Sequence, residues 1–329
     1  MNTCFDAFKN INIEYKKGRL EISPCCISST HSVQTIDFKK DRELDAIRQV
    51  WQTGEFPVEC LKCKQSEDSD GTSRRTGSNQ WYKDNGCDNT EVELTRLDYW
   101  TGDQCNLACV ICGPHYSTTW KKELNFIIPH TKAVVNKFWK NLDLSILKFV
   151  HFNGGEPLMS KEHINFLEDI PNKQNVHINY NTNGTVFPTK KLLDLWAQFK
   201  LVQLDFSIDD IERRFEYQRY PAIWTETVEN LQWFLKNAPH NCMFAVNTTV
   251  SVVNQYSLNK LDSWLANNFC VSRFTDPIAH RKQPCSGRLS TKNTNKKEIV
   301  EYLDRIDQSR GTSWRDVFPE LVDYFKTDK

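Results

Sequence analysis

Three cysteines stand within eight residues of the chain, at Cys105, Cys109 and Cys112. Thiolates at this C-x3-C-x2-C spacing can hold three irons of a four-iron cluster, which leaves the fourth iron without a protein ligand. Closed iron–sulfur centres and structural zinc sites normally take four protein ligands, whereas the next cysteine downstream is Cys242. The spacing therefore predicts a metal cluster with one iron open to a ligand from outside the protein.

A glycine-rich turn follows later in the chain. Residues 147–153 have the pattern of a strand, and Gly154, Gly155, Glu156 and Pro157 come directly after them. Alone, this tetrapeptide would be an ordinary strand-ending turn. Behind three cysteines at this spacing, it makes the sequence resemble the radical S-adenosylmethionine (SAM) superfamily.

The resemblance implies a [4Fe-4S] cluster held by Cys105, Cys109 and Cys112, with S-adenosyl-L-methionine on the open iron. It also implies that residues 154–157 bind the SAM amino group, since glycines permit a close backbone approach and an acceptor faces the ammonium. The residue before the third cysteine is often aromatic in the family. Here it is Ile111, which is apolar and could equally cover the cluster.

Strand and helix patterns alternate from Glu91 onward. Strands are predicted at 91–99, 147–153, 176–181, 202–208, 243–250 and 271–274, and helices at 161–169, 189–199, 223–237 and 258–267. Such alternation predicts an α/β fold with a parallel sheet and right-handed crossovers. Six units of this kind would make the partial (β/α)6 barrel of the superfamily, with ligands at the carboxyl ends of the strands.

Further candidate SAM-binding residues lie at or near the ends of later strands, where they resemble the residues that line SAM in relatives. They are Asn181, Asn183, Ser207, Asp209, Arg219 and Asn247. Each also has a structural interpretation. Asn-Gly and Asp-Asp pairs form ordinary turns, an arginine is commonly a solvated charge, and β-branched neighbours of Asn247 suit plain packing.

Half of the chain's twelve cysteines lie in the first ninety residues. Cys60 and Cys63 form a C-x2-C pair, which needs a second pair to complete a metal site. This region resembles the auxiliary-cluster half-domain called twitch, which follows the barrel in most relatives. The resemblance implies a second, auxiliary iron–sulfur cluster, of [4Fe-4S] type, on Cys4, Cys25, Cys60 and Cys63, with Cys26 as the alternative to Cys25. A four-cysteine zinc knuckle would use the same kind of ligands.

These patterns predict three domains: residues 1–90 with the auxiliary cluster and a linker, 91–285 with the barrel, and 286–329 with C-terminal helices packed on it. A helix is predicted at 42–52 and two amphipathic helices at 296–326. The linker 66–89 is rich in turn-forming residues and is predicted to be a loop, with Arg74 and Arg75 as a solvated pair or, alternatively, as a site for a carboxylate. Four cysteines remain.

Cys87, Cys242 and Cys270 are predicted to be buried as small apolar residues. Cys285 is predicted to lie in an exposed loop after the last strand, in residues 280–287. Some radical epimerases need a thiol that returns a hydrogen atom to the substrate. Cys285 is therefore the candidate hydrogen donor.

The composition excludes several classes of partner. The chain has 329 residues with 42 basic and 42 acidic side chains, and this balance argues against nucleic acid as substrate. No apolar run reaches the length of a membrane span, about 18 residues, and the N-terminus lacks the features of a signal peptide. A cytoplasmic location follows as the expectation, and there cysteines serve as metal ligands rather than as disulfides.

The resemblance implies an oxidoreductase that reductively cleaves SAM to a 5′-deoxyadenosyl radical, which abstracts a hydrogen atom from the substrate. Relatives with auxiliary clusters often modify ribosomally made peptides, so a peptide is the leading substrate. The alternatives are a dehydrogenase or epimerase of a small molecule such as a sugar, and a non-catalytic zinc-stabilised binding module. The expected partners are an electron donor such as flavodoxin or ferredoxin and, because the chain begins directly at the cysteine-rich region, a separate leader-peptide binding protein.

Overall fold

The structure, a computed structural model, describes residues 3–16, 19–127, 138–269 and 279–326. Its strands are β1 Asn10–Lys16, β2 Arg19–Ser23, β3 His31–Val33, β4 Arg96–Trp100, β5 Phe149–Asn153, β6 His177–Thr182, β7 Leu201–Ser207, β8 Cys242–Val250 and β9 Ala279–Pro284. Its helices are α1 Asp6–Lys9, α2 Arg42–Thr53, α3 Leu61–Asp70, α4 Arg74–Asp84, α5 Thr118–Glu123, α6 Glu162–Asp169, α7 Lys190–Trp196, α8 Glu212–Gln218, α9 Trp224–Asn237, α10 Leu258–Asn268, α11 Lys296–Arg310, α12 Trp314–Val317 and α13 Pro319–Lys326. Within this part of the chain, none of the helices combines the length and hydrophobicity of a bilayer-spanning segment.

The chain divides into two compact units. Unit 1 consists of Met1–Gly102, Ile128–Asn179 and Gln198–Val202, and unit 2 of Asp103–Ile127, Tyr180–Ala197 and Gln203–Lys329. The N-terminal cysteines and the first predicted barrel strand thus belong to unit 1, and the three-cysteine loop belongs to unit 2. The domain ranges 1–90, 91–285 and 286–329 remain predictions.

In unit 1 an N-terminal hairpin extends the parallel strands. β1 is antiparallel to β2 and parallel to β4, β2 is antiparallel to β3, and β4 is parallel to β5. The register places Ile11 opposite Leu97 and Leu97 opposite Val150, and all three are fully buried. Because side chains alternate between the faces of a sheet, Asp98 and His151, which face each other across β4 and β5, lie on the opposite face from this core.

Unit 2 contains most of β7 beside β8, and β8 runs parallel to β9. On one face, the rings of Phe206 and Phe244 stack with centroids 5.9 Å apart, and Phe234 of α9 packs against Phe206. A second apolar cluster joins residues around the three cysteines to the C-terminal helices, with Val110 and Leu303 among its members. The amphipathic pattern predicted at 296–326 therefore serves packing, as expected.

The strands predicted from Glu91 to residue 250 overlap β4 to β8, and the predicted helices overlap α2, α6, α7, α9, α10, α11 and α13. The predicted α/β fold is confirmed. The strand predicted at 271–274 lies outside the described residues, as does Cys270. Cys87 and Cys242 are buried, as predicted.

The prediction of a loop over residues 66–89 is wrong. α3 extends to Asp70 and ends at Gly71, whose φ of +70° suits a glycine at a helix C-terminus. α4 then begins behind Ser73, which forms a capping box with Thr76. The composition of this segment favours turns, but end-capping and contacts from distant residues stabilise helices here instead.

Candidate functional site

The three-cysteine loop follows β4 in the chain and ends at α5. Ser117 caps α5 by accepting hydrogen bonds from the backbone N–H groups of Thr119 and Trp120. The hydroxyls of Thr118 and Thr119 both donate to the carbonyl of Cys105, at 2.9 and 2.8 Å. The helix that follows the loop therefore also holds the loop's first cysteine.

Two backbone bonds attach the middle of the loop to the end of α8 and the segment that follows it. The N–H of Ala108 donates to Tyr220 O at 2.6 Å, and the N–H of Val110 donates to Gln218 O at 2.9 Å. Cys109 lies between these two anchors, and its carbonyl accepts from Trp120 Nε1 at 2.9 Å. The loop therefore has the bonding pattern of an edge strand around its central cysteine.

The sulfurs of this loop are shielded from solvent and have polar neighbours. Cys105 and Cys109 are buried and Cys112 is half-buried. The pKa of the Cys109 thiol is raised to about 12, chiefly by burial; Arg219 acts to lower this pKa, and the nearby Cys112 and Cys105 act to raise it. Thiols in such surroundings ionise when a metal binds them, which suits a ligand role.

Arg219 is a cation in contact with one of these sulfurs. Its Nη1 lies 3.9 Å from Cys109 Sγ, and its Nη2 lies 2.8 Å from Asp209 Oδ2. The arginine is 7% exposed and the aspartate 1%, so the interpretation of Arg219 as a solvated charge is wrong. Asp209 in turn accepts the backbone N–H of Thr249 at 2.8 Å, which joins the ends of two strands to the loop.

Three predicted asparagines also have defined positions in unit 2. Asn183 Nδ2 lies 2.9 Å from Asn106 Oδ1 and 3.9 Å from Cys105 Sγ. Asn247 donates to Asn181 Oδ1 at 3.2 Å. Ser207, the last residue of β7, is half-buried. The structure therefore brings Asn183, like Arg219, next to the cysteine loop, and pairs Asn181 with Asn247.

The Gly-Gly-Glu-Pro turn belongs to unit 1 and is tightly packed there. Gly154 has a φ of +128°, and a Cβ at this position would lie 2.7 Å from the carbonyl oxygen of Gly102. The N–H of Gly155 donates to that same carbonyl at 2.8 Å. Glu156 is buried, and its carboxylate accepts the N–H of Leu158 at the start of the 3₁₀ turn Pro157–Met159. The first glycine is therefore required by both conformation and space.

A second group of thiols lines a cavity in unit 1. The cavity is lined by Cys4, Cys25, Cys60 and Cys63, together with Asp6, Ile27, Ser28, Trp51, Glu59, Lys62, Arg74 and Arg75. Burial raises the pKa of Cys60 to about 12, and the pKa values of Cys4 and Cys25 are raised by burial and then by Asp6. Cys26 is exposed and points to Arg74, with Sγ 3.3 Å from Nη1. The four predicted auxiliary ligands thus share one cavity.

Local structure explains how distant cysteines meet at this cavity. Cys60 ends the 3₁₀ turn Val58–Cys60 and Cys63 lies in the first turn of α3, so a spacing of three residues places both on one helical face. Cys25 follows β2 in a turn where Ser23 Oγ donates to its carbonyl at 2.9 Å. Cys4 precedes α1.

Sequence reasoning missed α4 as the element that holds the N-terminus at this cavity. Arg75 Nη1 and Asn79 Nδ2 donate to Thr3 O at 3.0 and 2.7 Å, and Asn79 Oδ1 accepts the N–H of Phe5 at 2.9 Å. Cys4 lies between these two bonded residues. The capping box at Ser73 was the sequence signal for this helix.

The expectation that Arg74 and Arg75 are solvated is wrong. Arg74 forms ion pairs with Asp98 at 2.9 Å and Asp6 at 3.4 Å, and Arg75 pairs with Glu67. Burial disfavours the charge on Asp98, yet Arg74 and then His151 hold the pKa of this carboxyl well below its usual range. The cations beside the thiols are therefore fixed by carboxylates.

Cys285 does not lie in an exposed loop. It directly follows β9, is buried, and its N–H donates to Val250 O at 2.7 Å. It packs in the cluster that contains Val252 and Leu289, and burial raises its pKa to about 11. Pairing of β9 with β8 removes the exposure that the sequence suggested.

Within the ranges that the structure describes, no group of three or more His, Cys, Asp or Glu side chains meets the geometry of a metal-ion site.

The chain was compared with known proteins and solved structures. No curated protein matches the chain. Similar solved structures include native anSMEcpe with bound AdoMet, at 15% identity over 66% of this chain and 62% of that one, with a TM-score of 0.39. Streptococcus suis SuiB bound to the precursor peptide SuiA is 12% identical over 97% and 75%, with a TM-score of 0.38. The chain spans less than two thirds of the length of anSMEcpe.

The model of the Radical SAM superfamily matches residues 101–250. This range begins directly after β4 and contains the three-cysteine loop and the Gly-Gly-Glu-Pro turn. It also contains Asp209 and Arg219, which are buried beside Cys109. With this match, residues 101–250 form a domain of the Radical SAM superfamily.

Proposed function

We propose that this protein reductively cleaves SAM and removes a hydrogen atom from a peptide, as an enzyme of ribosomal peptide modification with two iron–sulfur clusters. The observation that supports this most is the pair of separate thiol groups, each buried or half-buried: three in one loop of unit 2 and four around one cavity of unit 1. The first suits a cluster with an open iron, and the second suits a closed auxiliary cluster. The alternative of a non-catalytic binding module is wrong, because the family is one of enzymes.

Cys105, Cys109 and Cys112 would hold the SAM-binding [4Fe-4S] cluster. When bound, cluster and SAM supply the one-electron cleavage that yields a 5′-deoxyadenosyl radical. The buried guanidinium of Arg219, 3.9 Å from Cys109 Sγ, places positive charge where thiolates and a reduced cluster carry negative charge. The N–H of Leu107, with its nitrogen 3.4 Å from Cys105 Sγ, adds a hydrogen-bond donor to a second sulfur of the loop. These residues favour the charged, ligating form of the thiols.

Two orphaned polar atoms of unit 2 fit the polar groups of SAM. Arg219 Nε and Asn247 Oδ1 are buried, and neither has a hydrogen-bond partner among the described residues. Buried polar atoms are normally paired. A carboxylate would satisfy the donor Arg219 Nε, while a hydroxyl or ammonium would satisfy the acceptor Asn247 Oδ1. We assign both residues, with Asn181, Asn183, Ser207 and Asp209, to the surroundings of SAM, and residues 154–157 to its amino group.

The residues around the loop would also exclude water. Leu107, Ala108 and Val110 are buried, and Ile111 packs against the apolar cluster formed with the C-terminal helices. A radical must not meet other hydrogen donors before it meets the substrate. The packing contact of Ile111 supports assigning this residue the role of an apolar cover for the iron–sulfur cluster.

Cys4, Cys25, Cys60 and Cys63 would hold the auxiliary cluster. Their common cavity favours Cys25 over the exposed Cys26, whose thiol instead contacts Arg74. Four ligands close a cluster to substrate, which leaves it the roles of electron acceptor or structural staple. The proposal further includes a cytoplasmic location, flavodoxin or ferredoxin as the electron donor, and a separate protein that binds the leader peptide.

The test is iron content and SAM cleavage of an anaerobically reconstituted protein. The parent should hold about eight irons, as two [4Fe-4S] clusters require, and should form 5′-deoxyadenosine under reducing conditions. Replacing Cys105, Cys109 and Cys112 together by Ala should leave about four irons and abolish 5′-deoxyadenosine. Cys242→Ala, which changes a buried cysteine of the same unit outside both groups, is the control. Undiminished 5′-deoxyadenosine from the triple variant would refute the proposal.

A further inference from the structure

The C-terminal helix α11 contacts the three-cysteine loop through more than its apolar face. Ile299, Leu303 and Ile306 of α11 share an apolar cluster with Ala108 and Val110 of the loop. Packing of this kind is what the amphipathic pattern predicted. Two polar side chains of the same helix, however, bond directly to the loop backbone, and this requires a separate explanation.

Arg310, the last residue of α11, is held through Nε, Nη2 and the faces of its guanidinium, while its buried Nη1 has no hydrogen-bond partner among the described residues. Its side chain is 2% exposed, and its Nη2 donates to the carbonyl of Ala108 at 2.7 Å. Nε and Nη2 also contact the carboxylate of Glu123 at 3.0 and 3.1 Å. The guanidinium stacks on the rings of Trp120 and Tyr220, 4.8 and 4.5 Å from their centroids. These partners together fix the orientation of the guanidinium, and in this orientation Nη2 donates to Ala108 O.

Tyr302 repeats the contact two residues further along the loop. Its hydroxyl donates to the carbonyl of Val110 at 2.7 Å. Arg310 and Tyr302 therefore bond the carbonyls on either side of Cys109. The carbonyl of Cys109 itself accepts from Trp120, whose ring lies under Arg310. Three successive carbonyls are thus held by α11 or by a residue stacked on it.

The hydrogen bonds of Arg310 and Tyr302 contribute enough free energy to affect how tightly the loop binds a metal cluster. A hydrogen bond from a charged donor contributes roughly 1.5–3 kcal/mol and a neutral one roughly 0.5–1.5 kcal/mol. Outer residues that orient metal ligands typically contribute about 10- to 100-fold in metal affinity. The N–H groups of Ala108 and Val110 are already bonded to the carbonyls of Tyr220 and Gln218, so with the α11 side chains both the N–H and the C=O of each of these two residues are bonded.

We propose that Arg310 and Tyr302 are positioning residues for the SAM-binding cluster: α11 holds the carbonyl groups of Ala108 and Val110, the residues before and after Cys109, and thereby sets how firmly the loop retains its iron. This inference rests on the proposed function, because it needs a cluster on the loop. A helix that only packed would affect the stability of unit 2. A helix that positions the ligands controls the lifetime of the cluster in a protein that stays folded.

The experiment compares Arg310→Met, Arg310→Lys and Tyr302→Phe in the full-length, reconstituted protein. Arg315→Met is the matched control, because Arg315 also pairs with an aspartate, Asp304, and stacks on a tryptophan, Trp314. Its side chain is half exposed, and the hydrogen bonds and ring contact described for it do not include the three-cysteine loop. Each protein is reduced without oxygen and given a ferrous chelator. The readout is the decay of the cluster whose electron paramagnetic resonance spectrum changes on SAM addition, with circular dichroism to check the fold.

Arg310→Met should lose this cluster about tenfold faster than the parent and Tyr302→Phe about threefold faster, by the loss of outer-shell bonds. Arg310→Lys should fall between, since a lysine keeps the charge but neither the fork nor the stacking. The control should decay at the parent rate. Decay of the cluster at the parent rate in both folded Arg310→Met and folded Tyr302→Phe would overturn the inference.

Two further outcomes are distinguishable. If Arg310→Met does not fold, Tyr302→Phe decides the matter, because it removes a single hydroxyl and keeps the ring. If the parent itself shows no SAM-responsive cluster, the proposed function fails and this inference fails with it. A SAM-responsive parent with unchanged variants overturns the inference alone.

Discussion

The two thiol groups of this protein are assembled in opposite ways. In unit 2 three cysteines come from eight successive residues, 105–112, while in unit 1 four come from positions spread between Cys4 and Cys63. The loop is held mainly by hydrogen bonds to its backbone, from residues after α8 and from α11. The cavity is held mainly by charged and amide side chains of α4. A compact motif needs outside support to keep one shape, and a dispersed site needs support merely to exist.

A common feature accompanies this difference. Each group has an arginine beside a thiol, and each arginine is paired with a buried aspartate: Arg219 with Asp209, and Arg74 with Asp98. A buried arginine without a counter-charge would be costly. The aspartates keep the cations in place, so that the positive charge stays next to sulfur in both units. Disturbing one group should therefore leave the other intact, and this independence can be tested.

The largest expected effect is that of Cys60→Ala on the unit 1 group. The variant should lose about four irons, fail to form product and still cleave SAM slowly without substrate, because the open iron belongs to the other unit. Cys26→Ala is the matched control and should keep all of its iron, since Cys26 lies outside the cavity. Iron content, 5′-deoxyadenosine and modified product are measured together.

Circular dichroism then separates two roles of the auxiliary site. If the site mainly stabilised the fold, metal-binding energy would also be folding energy, and Cys60→Ala would be unfolded. We expect it to be folded. A folded Cys60→Ala protein that makes product at the parent rate would show that the unit 1 cysteines serve neither electron transfer nor folding.

A smaller effect is expected for Gly154→Ala in the Gly-Gly-Glu-Pro turn. The φ of +128° and the contact of 2.7 Å with Gly102 O force the turn to shift, and strain of this kind costs roughly 1–3 kcal/mol. SAM affinity should fall about tenfold or more, since 1.4 kcal/mol is a factor of ten. Equilibrium binding of SAM to the reconstituted protein measures the effect.

Gly77→Ala provides the control for the same change of residue. Gly77 lies within α4, and a Cβ there meets no atom within 4 Å. Alanine in a helix is favoured over glycine by roughly 1 kcal/mol, so this variant should be as stable as the parent or more so, with unchanged SAM affinity. Equal SAM affinity of Gly154→Ala and the parent would contradict the role of the turn.

The last prediction concerns how the stability of unit 1 depends on pH. His163 is fully buried on α6, its Nδ1 lies 2.5 Å from Ser160 O, and burial lowers its pKa to about 4. In the unfolded chain a histidine has a pKa near 6.5. Between pH 6.5 and the folded-state pKa, the unfolded state therefore binds more protons than the folded state, and the free energy of unfolding falls as the pH falls. From about pH 6.5 to 4.5 this contribution amounts to about 2 kcal/mol.

Hydrogen exchange of the amides in α6 and β5 checks this prediction. The parent should lose about 2 kcal/mol more protection over this pH range than His163→Gln, in which the titrating group is absent. Amides of α11 in unit 2 should respond equally in both proteins. An identical pH response of α6 in parent and variant would rule out His163 as the source.

The elements that the sequence predicted well are those with a local cause. β4 to β8 and the helices between them follow from alternating and helical patterns of apolar residues, which depend on neighbours a few positions apart. α4 was missed because most of its residues are polar and show no helical pattern of apolar positions, and its stability comes from contacts with distant residues, such as those of Arg75 and Asn79 with Thr3. Cys285 was misplaced because the exposure of a polar stretch depends on whether another strand pairs with it.

The sequence by itself determined the three-cysteine motif, the Gly-Gly-Glu-Pro turn and the α/β alternation, because each is encoded by spacing along the chain. Only the tertiary structure decided that Arg219 lies beside Cys109, that Cys25 rather than Cys26 lines the cavity, and that Arg310 bonds the loop more than 200 residues away at Ala108. Such contacts join residues that no period or local propensity relates. They form because burying the apolar faces of distant elements also brings their polar groups together, and those groups must then find partners.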